Sequence, residues 1–266
     1  MRFQDASPDA RAVVYAGIQA DPLVARTATL LADATPAQRI LARAVMNGMS
    51  TSPSAWQAMF PTLFRPGAPV DGAERERSEA ILAASLEVAD RGEQVRSQVR
   101  GAIVESVTEL LVRRRSAAAG VAPGGAPGGA PGGPPGGAAA AVRRERRILF
   151  DGVRAEIHPY DVTVETPGAA EAIDCKWGAR GINADVLHQL DDARTHAADE
   201  DEVLAATIVV FDAERSCAVR LDRQTARVGN HGRDKIRGLY EVSALCQRHG
   251  HRTRATAGFE HRGSRR

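Results

Sequence analysis

Between Ser116 and Ala141 the chain reads Ala-Pro-Gly-Gly three times in succession and then Pro-Pro-Gly-Gly. Such a run carries no large apolar side chain, so it has nothing to bury against the conformational entropy it would lose on ordering. It is therefore predicted to be disordered across 116–141, and as a flexible coil it would span on the order of 25 to 30 Å. This one feature limits the fold. Helix-patterned sequence lies before it and strand-patterned sequence after it, so any common core must be assembled across the run. Lengthening a surface loop costs little free energy, which makes a loop inside one domain a sufficient reading. The expected class is α/β, a mixed central sheet flanked by helices with an all-helical N-terminal region.

Residues 1–90 are read as the helical N-terminal region, its clearest helical pattern beginning near residue 10 and rich in Ala, Leu, Arg and Glu. Breaks are expected at Ser52-Pro53, at Phe64-Arg65-Pro66-Gly67 and at Val70-Asp71-Gly72. Thr35-Pro36-Ala37-Gln38 has the form of a helix start, with threonine as N-cap and proline at the first helical position. The region holds no glycine-rich nucleotide loop and no metal-ligand spacing, which leaves assembly, target choice or regulation as its role.

A long helix is predicted over 91–115, with Val95, Val99, Ile103, Val107 and Leu110 along one face. Glu105 falls about 160° from Ile103 at 100° per residue. The plain reading is a solvated outer face, but Ser97, Gly101 and Thr108 on that side are small enough to let the helix approach a sheet.

Beyond the run, strands are expected at Ile148–Phe150, Val153–Ile157, Tyr160–Glu165, Ala172–Trp177, Ala206–Phe211 and Cys217–Leu221, with Asp151-Gly152 and Thr166-Pro167-Gly168 as turns. Asn183 should cap a helix reaching Ala197, and Asp234–His249 should form a last helix. In Ala172-Ile173-Asp174-Cys175-Lys176-Trp177, strand alternation sends Asp174 and Lys176 to one face and Cys175 to the other, into the core. Asp161 on the neighbouring strand would complete a carboxylate pair suited to a hard divalent cation, with the Lys176 ammonium beside it. Of 35 Lys plus Arg residues only those at 176 and 235 are lysine. A compact point charge kept where the chain otherwise writes arginine fits a chemical role. The plainer alternative for Asp174 and Lys176 is a same-face surface ion pair, worth little stability.

Asp161 followed by Asp174-Cys175-Lys176 resembles the motif of the PD-(D/E)XK nuclease superfamily, with Tyr160 standing where that family often has proline. Arg100-Gly101-Ala102-Ile103-Val104-Glu105 is similar to the Arg-Gly-x-x-x-Glu helix of some members. The resemblance spans residues 95–195 and implies a restriction-endonuclease-like core made of the 91–115 helix and the remainder from 142 to 266. It further implies Mg²⁺-dependent endonucleolytic hydrolysis of DNA that leaves a 5′-phosphate, with Mn²⁺ as a substitute ion and RNA as the rival substrate. Asp161, Asp174, Glu105 and the Cys175 carbonyl would hold the ion, and Lys176 would lie beside the attacking water. Gln189 matches a glutamine that some members place near the site. Restriction or antiphage defence is the implied setting, with the chain as a homo-oligomer or a subunit of a multi-protein system. The alternative is a nuclease-like chain that no longer cuts and serves as a nucleic-acid-binding or assembly subunit.

The net charge of +2 does not mark a nucleic-acid binder, so local charge carries that question. Val-Arg-Arg-Glu-Arg-Arg (142–147) supplies Arg143 and Arg144 as candidate phosphate contacts, Arg180 is a third, and the sequence from 231 onward is a basic tail. Arg194 is read as surface, Trp177 as core, His158 as a loop residue near the site, and Asn230–Lys235 as too incomplete for a His-Asn-His nuclease loop. Three widely spaced cysteines, 175, 217 and 246, exclude a disulfide framework. With no long apolar run and no leader pattern, the expected location is the cytoplasm, away from membranes.

Overall fold

The computed structural model describes residues 1–6, 10–48, 52–67, 70–120, 140–154, 158–166, 169–228, 236–238 and 241–242. Of the segment expected to be disordered over 116–141, residues 116–120 are instead helical and Ala141 opens a strand, because Ser116-Ala117-Ala118 holds no helix breaker, while 121–139 lie outside the described residues, as do the Asn230–Lys235 loop, Cys246 and most of the basic tail.

The N-terminal helices are α1 (Ala10–Gln19), α2 (Pro22–Ala32), α3 (Pro36–Asn47), α4 (Pro53–Met59), α5 (Pro61–Phe64) and α6 (Gly72–Ala89). Their starts follow the sequence signals. The Asp21 side chain accepts from the Leu23 amide, Thr35 and Gln38 form a reciprocal capping box, and Asp71 accepts from the Glu74 amide at 2.7 Å. The helical region is not wholly helical, because β1 (Arg2–Asp5) leaves it and pairs antiparallel with β2 (Ala141–Phe150) of the sheet.

α7 (Glu93–Gly120) runs past the expected end at 115, since Ser116-Ala117-Ala118 continues the helix without a breaker. It packs against α2 on one side and against the sheet on the other. Val99, Ile103 and Val107 are buried as expected, whereas Val95 is 38% exposed because it lies in the first turn. Ala102, Val104, Glu105, Ser106 and Thr108 are buried as well, so the face read as solvated is the one pressed onto strands.

The sheet order is β1-β2-β4-β5-β6-β7, with β3 (Val153–Arg154) on β2. β2, β4 (Tyr160–Thr166) and β5 (Ala169–Lys176) are antiparallel neighbours, while β6 (Val203–Val210) and β7 (Ile236–Arg237) add in parallel. α8 (Ala184–Asp199), capped by Asn183 as expected, and α9 (Glu214–Val228) cover the face opposite α7. The class is thus α/β, a mixed sheet between helices with a helical N-terminal region.

Two expected elements are corrected. Cys217–Leu221 is not a strand but part of α9, where Cys217, Leu221 and Gln224 recur at helical spacing on the buried side. Ile236–Arg237, expected to open a helix, is strand β7, whose Ile236 buries against the α9 side of the sheet. The basic run 142–147 belongs to β2 rather than preceding it.

One irregularity shapes the centre of the sheet. Val142, Val162 and Val164 pack with α7, whereas Ile148, Phe150 and Tyr160 pack with α8 and α9, although all six are even-numbered. Strict alternation forbids that, so β2 and β4 each slip by one residue between these sets. The slip falls at Glu145 and Asp161, between the pairs Arg144↔Val162 and Arg146↔Tyr160, and Glu145 takes a left-handed φ of 52°. A non-glycine side chain there is uncommon.

Candidate metal centre and its surroundings

The slip builds a row of acids. Glu145 and Asp161 stand across from one another between their flanking pairs, and extending the β4–β5 register past Val162↔Ile173 sets Asp161 opposite Asp174. Asp161 Oδ2 accepts from the Cys175 amide at 2.5 Å, and Lys176 Nζ donates to Asp174 Oδ1 at 2.6 Å. Cys175 therefore enters the site through its backbone, while its thiol lies 3.5 Å from Thr108 Oγ1 on the α7 side, as alternation requires. Asp161, Asp174, Lys176, Glu145, Gln189 and Tyr15 share the lining of one cavity of about 260 Å³.

Glu105 is only 5% exposed and is gripped from the N-terminal region. Tyr15 donates to Glu105 Oε1 at 2.5 Å, and Gln19 Nε2 donates to Oε2 at 2.8 Å and to Glu145 at 3.4 Å. The glycine of the Arg-Gly-x-x-x-Glu segment has a local reason: a Cβ on Gly101 would stand 3.1 Å from the Tyr15 hydroxyl. Arg100 turns elsewhere, to Asn47 at 2.9 Å and over the Trp177 ring. Trp177 also stacks on Phe211, and its Nε1 donates to Asn47, so it is a packing residue.

The electrostatics follow from crowding. Burial, then Asp174, then Glu105 push the Asp161 carboxyl well above the usual carboxylate range, against the pull of Lys176 and the Cys175 amide. Glu145 is raised by burial and by Glu105, with Gln19 opposing. Burial also pushes the Tyr15 phenol upward, reinforced by Glu105, so Tyr15 remains a neutral donor. For Lys176 burial lowers the pKa, but Asp174 and Asp161 outweigh it and the ammonium is held charged.

The other sequence candidates divide. Gln189 is buried at the cavity wall, exchanging bonds with the His158 backbone, its Nε2 donating to the carbonyl at 3.0 Å. Arg144 is not a free phosphate contact, because Glu109 and Ser106 of α7 hold it. Arg143 is exposed on β2, and Arg180 is exposed on the 3₁₀ turn Ala179–Gly181, outside the cavity lining. Arg194 pairs with Asp191. Sequence reasoning missed Tyr15, Gln19 and Glu145, for which no local motif exists, and Asp212. The Asp212 carboxylate accepts from the Ala179 amide at 3.0 Å and from Arg43 at 2.6 Å, fixing the turn behind Lys176.

No family model, no curated protein and no solved structure matches the chain. The site is therefore judged on its own chemistry. Among the described residues no three His, Cys, Asp or Glu side chains stand ready-spaced as a finished metal cage. Donor type and charge nevertheless fit a hard divalent cation. Asp161 and Asp174 interact with the Lys176 ammonium, Glu105 with Asp161 and with Glu145, and an ionised carboxylate oxygen that accepts one hydrogen bond still has a lone pair to offer a cation. Among the described residues no helix is long and apolar enough to cross a membrane.

Proposed function

We propose that this chain is a divalent-cation-dependent endonuclease that hydrolyses DNA phosphodiester bonds. The observation that carries the reading is the meeting of Asp161, Asp174 and Lys176 in one cavity, with Glu105 coupled to them from α7. Asp161, Asp174 and Glu105 would hold Mg²⁺, or Mn²⁺ in its place. When bound, the ion supplies Lewis-acid neutralisation of a phosphate and acidifies water at neutral pH. Lys176, held protonated by Asp174 and Asp161, is suited to stabilise charge building on the phosphate and to orient water, rather than to accept a proton. Gln189 and the His158 backbone form a rigid wall that positions substrate beside these groups.

The test is direct. The purified chain should nick supercoiled DNA with Mg²⁺ and not with EDTA. Lys176→Ala and Asp174→Ala should each lower the rate by about a hundredfold or more while leaving the melting transition cooperative. Full activity in either variant refutes the assignment.

A further inference from the structure

We propose that the arginine-lined groove between the 3₁₀ turn Ala179–Gly181 and α9 binds the backbone phosphates of a nucleic acid. The inference rests on the nuclease reading for the identity of its ligand, and it assigns that ligand a surface separate from the acidic cavity.

The groove has a volume of about 570 Å³, and its lining holds four arginines, Arg180, Arg215, Arg220 and Arg223, and no carboxylate. Arg180, Arg215 and Arg223 are exposed, and none makes a side-chain hydrogen bond or ion pair among the described residues. Many other arginines are committed to partners: Arg43, Arg100, Arg115, Arg144 and Arg146 all end on carboxylates. Arg220 is half committed, its Nε donating to the Ile182 carbonyl at 2.8 Å, which ties α9 to the segment after β5. Concentrated positive charge with no internal counterion is a surface for a polyanion.

Its place in the fold points the same way. The turn follows β5 and α9 follows β6, and these strands are parallel, so the groove opens beyond their carboxyl ends, where open α/β sheets bind ligands. The turn also lies against the candidate site, since a Cβ on Gly181 would come within 2.7 Å of Lys176 Cγ. From Arg215 to Arg223 the helix advances about 12 Å. That covers roughly three base-pair steps of a duplex.

The experiment is a fluorescence-anisotropy titration of the full chain with a short labelled DNA duplex, and in parallel an RNA duplex, in EDTA over a series of salt concentrations. Removing two phosphate contacts in the double variant Arg215→Ser, Arg223→Ser should lower the slope of log K against log salt by about two and weaken binding by about tenfold or more at low salt. Arg215→Lys with Arg223→Lys should keep most of the binding, because the point charges remain. Arg26→Ser, which removes an exposed charge from α2, should leave affinity and slope unchanged. The polymer that shows the loss is the one the groove serves. No binding of either polymer by the unaltered chain, or wild-type affinity and slope in the double serine variant, overturns the proposal. Because no cleavage occurs in EDTA, arginine-dependent binding by a chain that never cuts refutes the hydrolytic reading alone. Cleavage with unaltered binding in the serine variant refutes the groove alone.

Discussion

Tyr15 reaches Glu105 across 90 residues of sequence, and with Gln19 it occupies one lone pair on each carboxylate oxygen. Such outer contacts orient a ligand carboxylate, and their loss typically costs about 10- to 100-fold in metal affinity. Tyr15→Phe removes the donor and keeps the ring, so it should weaken Mg²⁺ binding by about tenfold. Calorimetric titration without DNA reads this independently of turnover, and an unchanged affinity would show that Tyr15 only packs. The pair Asp174 and Lys176 was legible because strand alternation is a two-residue rule, and the exchange of lysine for arginine marked the position. Tyr15, Gln19 and Glu145 were not legible, since each reaches the cavity through tertiary placement that leaves no local pattern. Glu145 was further disguised as the one acid inside a basic run.

Among the elements, β2 and β4 gain the site through their shared slip. Glu145 sits at φ 52°, where glycine is free and a β-branched residue is strained. Glu145→Val should therefore be less stable than Glu145→Gly by about 1 to 3 kcal/mol in urea unfolding. Equal stabilities would mean that the backbone relaxes without cost. The turn after β5 gives a second case. Gly181→Ala drives a methyl group into the root of the Lys176 side chain rather than its mobile end, with contacts of 2.7 to 2.8 Å. A displacement of about 1 Å at a reacting group costs on the order of a hundredfold in rate. The variant should lose kcat far more than melting temperature, and normal kcat would dissociate the turn from the chemistry. Element types followed sequence where periodicity was long, as in α7 and α8. They failed at Cys217–Leu221, where Cys217, Val219 and Leu221 alternate as in a strand while Cys217 and Leu221 also stand four apart on one helix face, and only the neighbouring sheet selects the helix.

For the molecule as a whole, the acidic row couples folding to pH. Asp161 is pushed up by burial first and by Asp174 and Glu105 next, so it releases its proton at higher pH in the folded chain than in the unfolded one. Between the unfolded value, about 4, and the raised folded value the native state binds more protons, so this carboxyl removes stability as pH rises through that window. In EDTA the melting temperature of wild type minus that of Asp161→Asn should fall as pH increases across it, and added Mg²⁺ should reduce the fall. A flat difference would place Asp161 outside the charge cluster.

The contact from Arg43 on α3 to Asp212, and from Asp212 to Ala179, bolts the helical region to the turn that backs Lys176. With Tyr15 and Gln19 it makes the two halves one machine. An engineer who cut out the strand-rich portion as a portable module would leave behind the side chains that brace its acidic cavity.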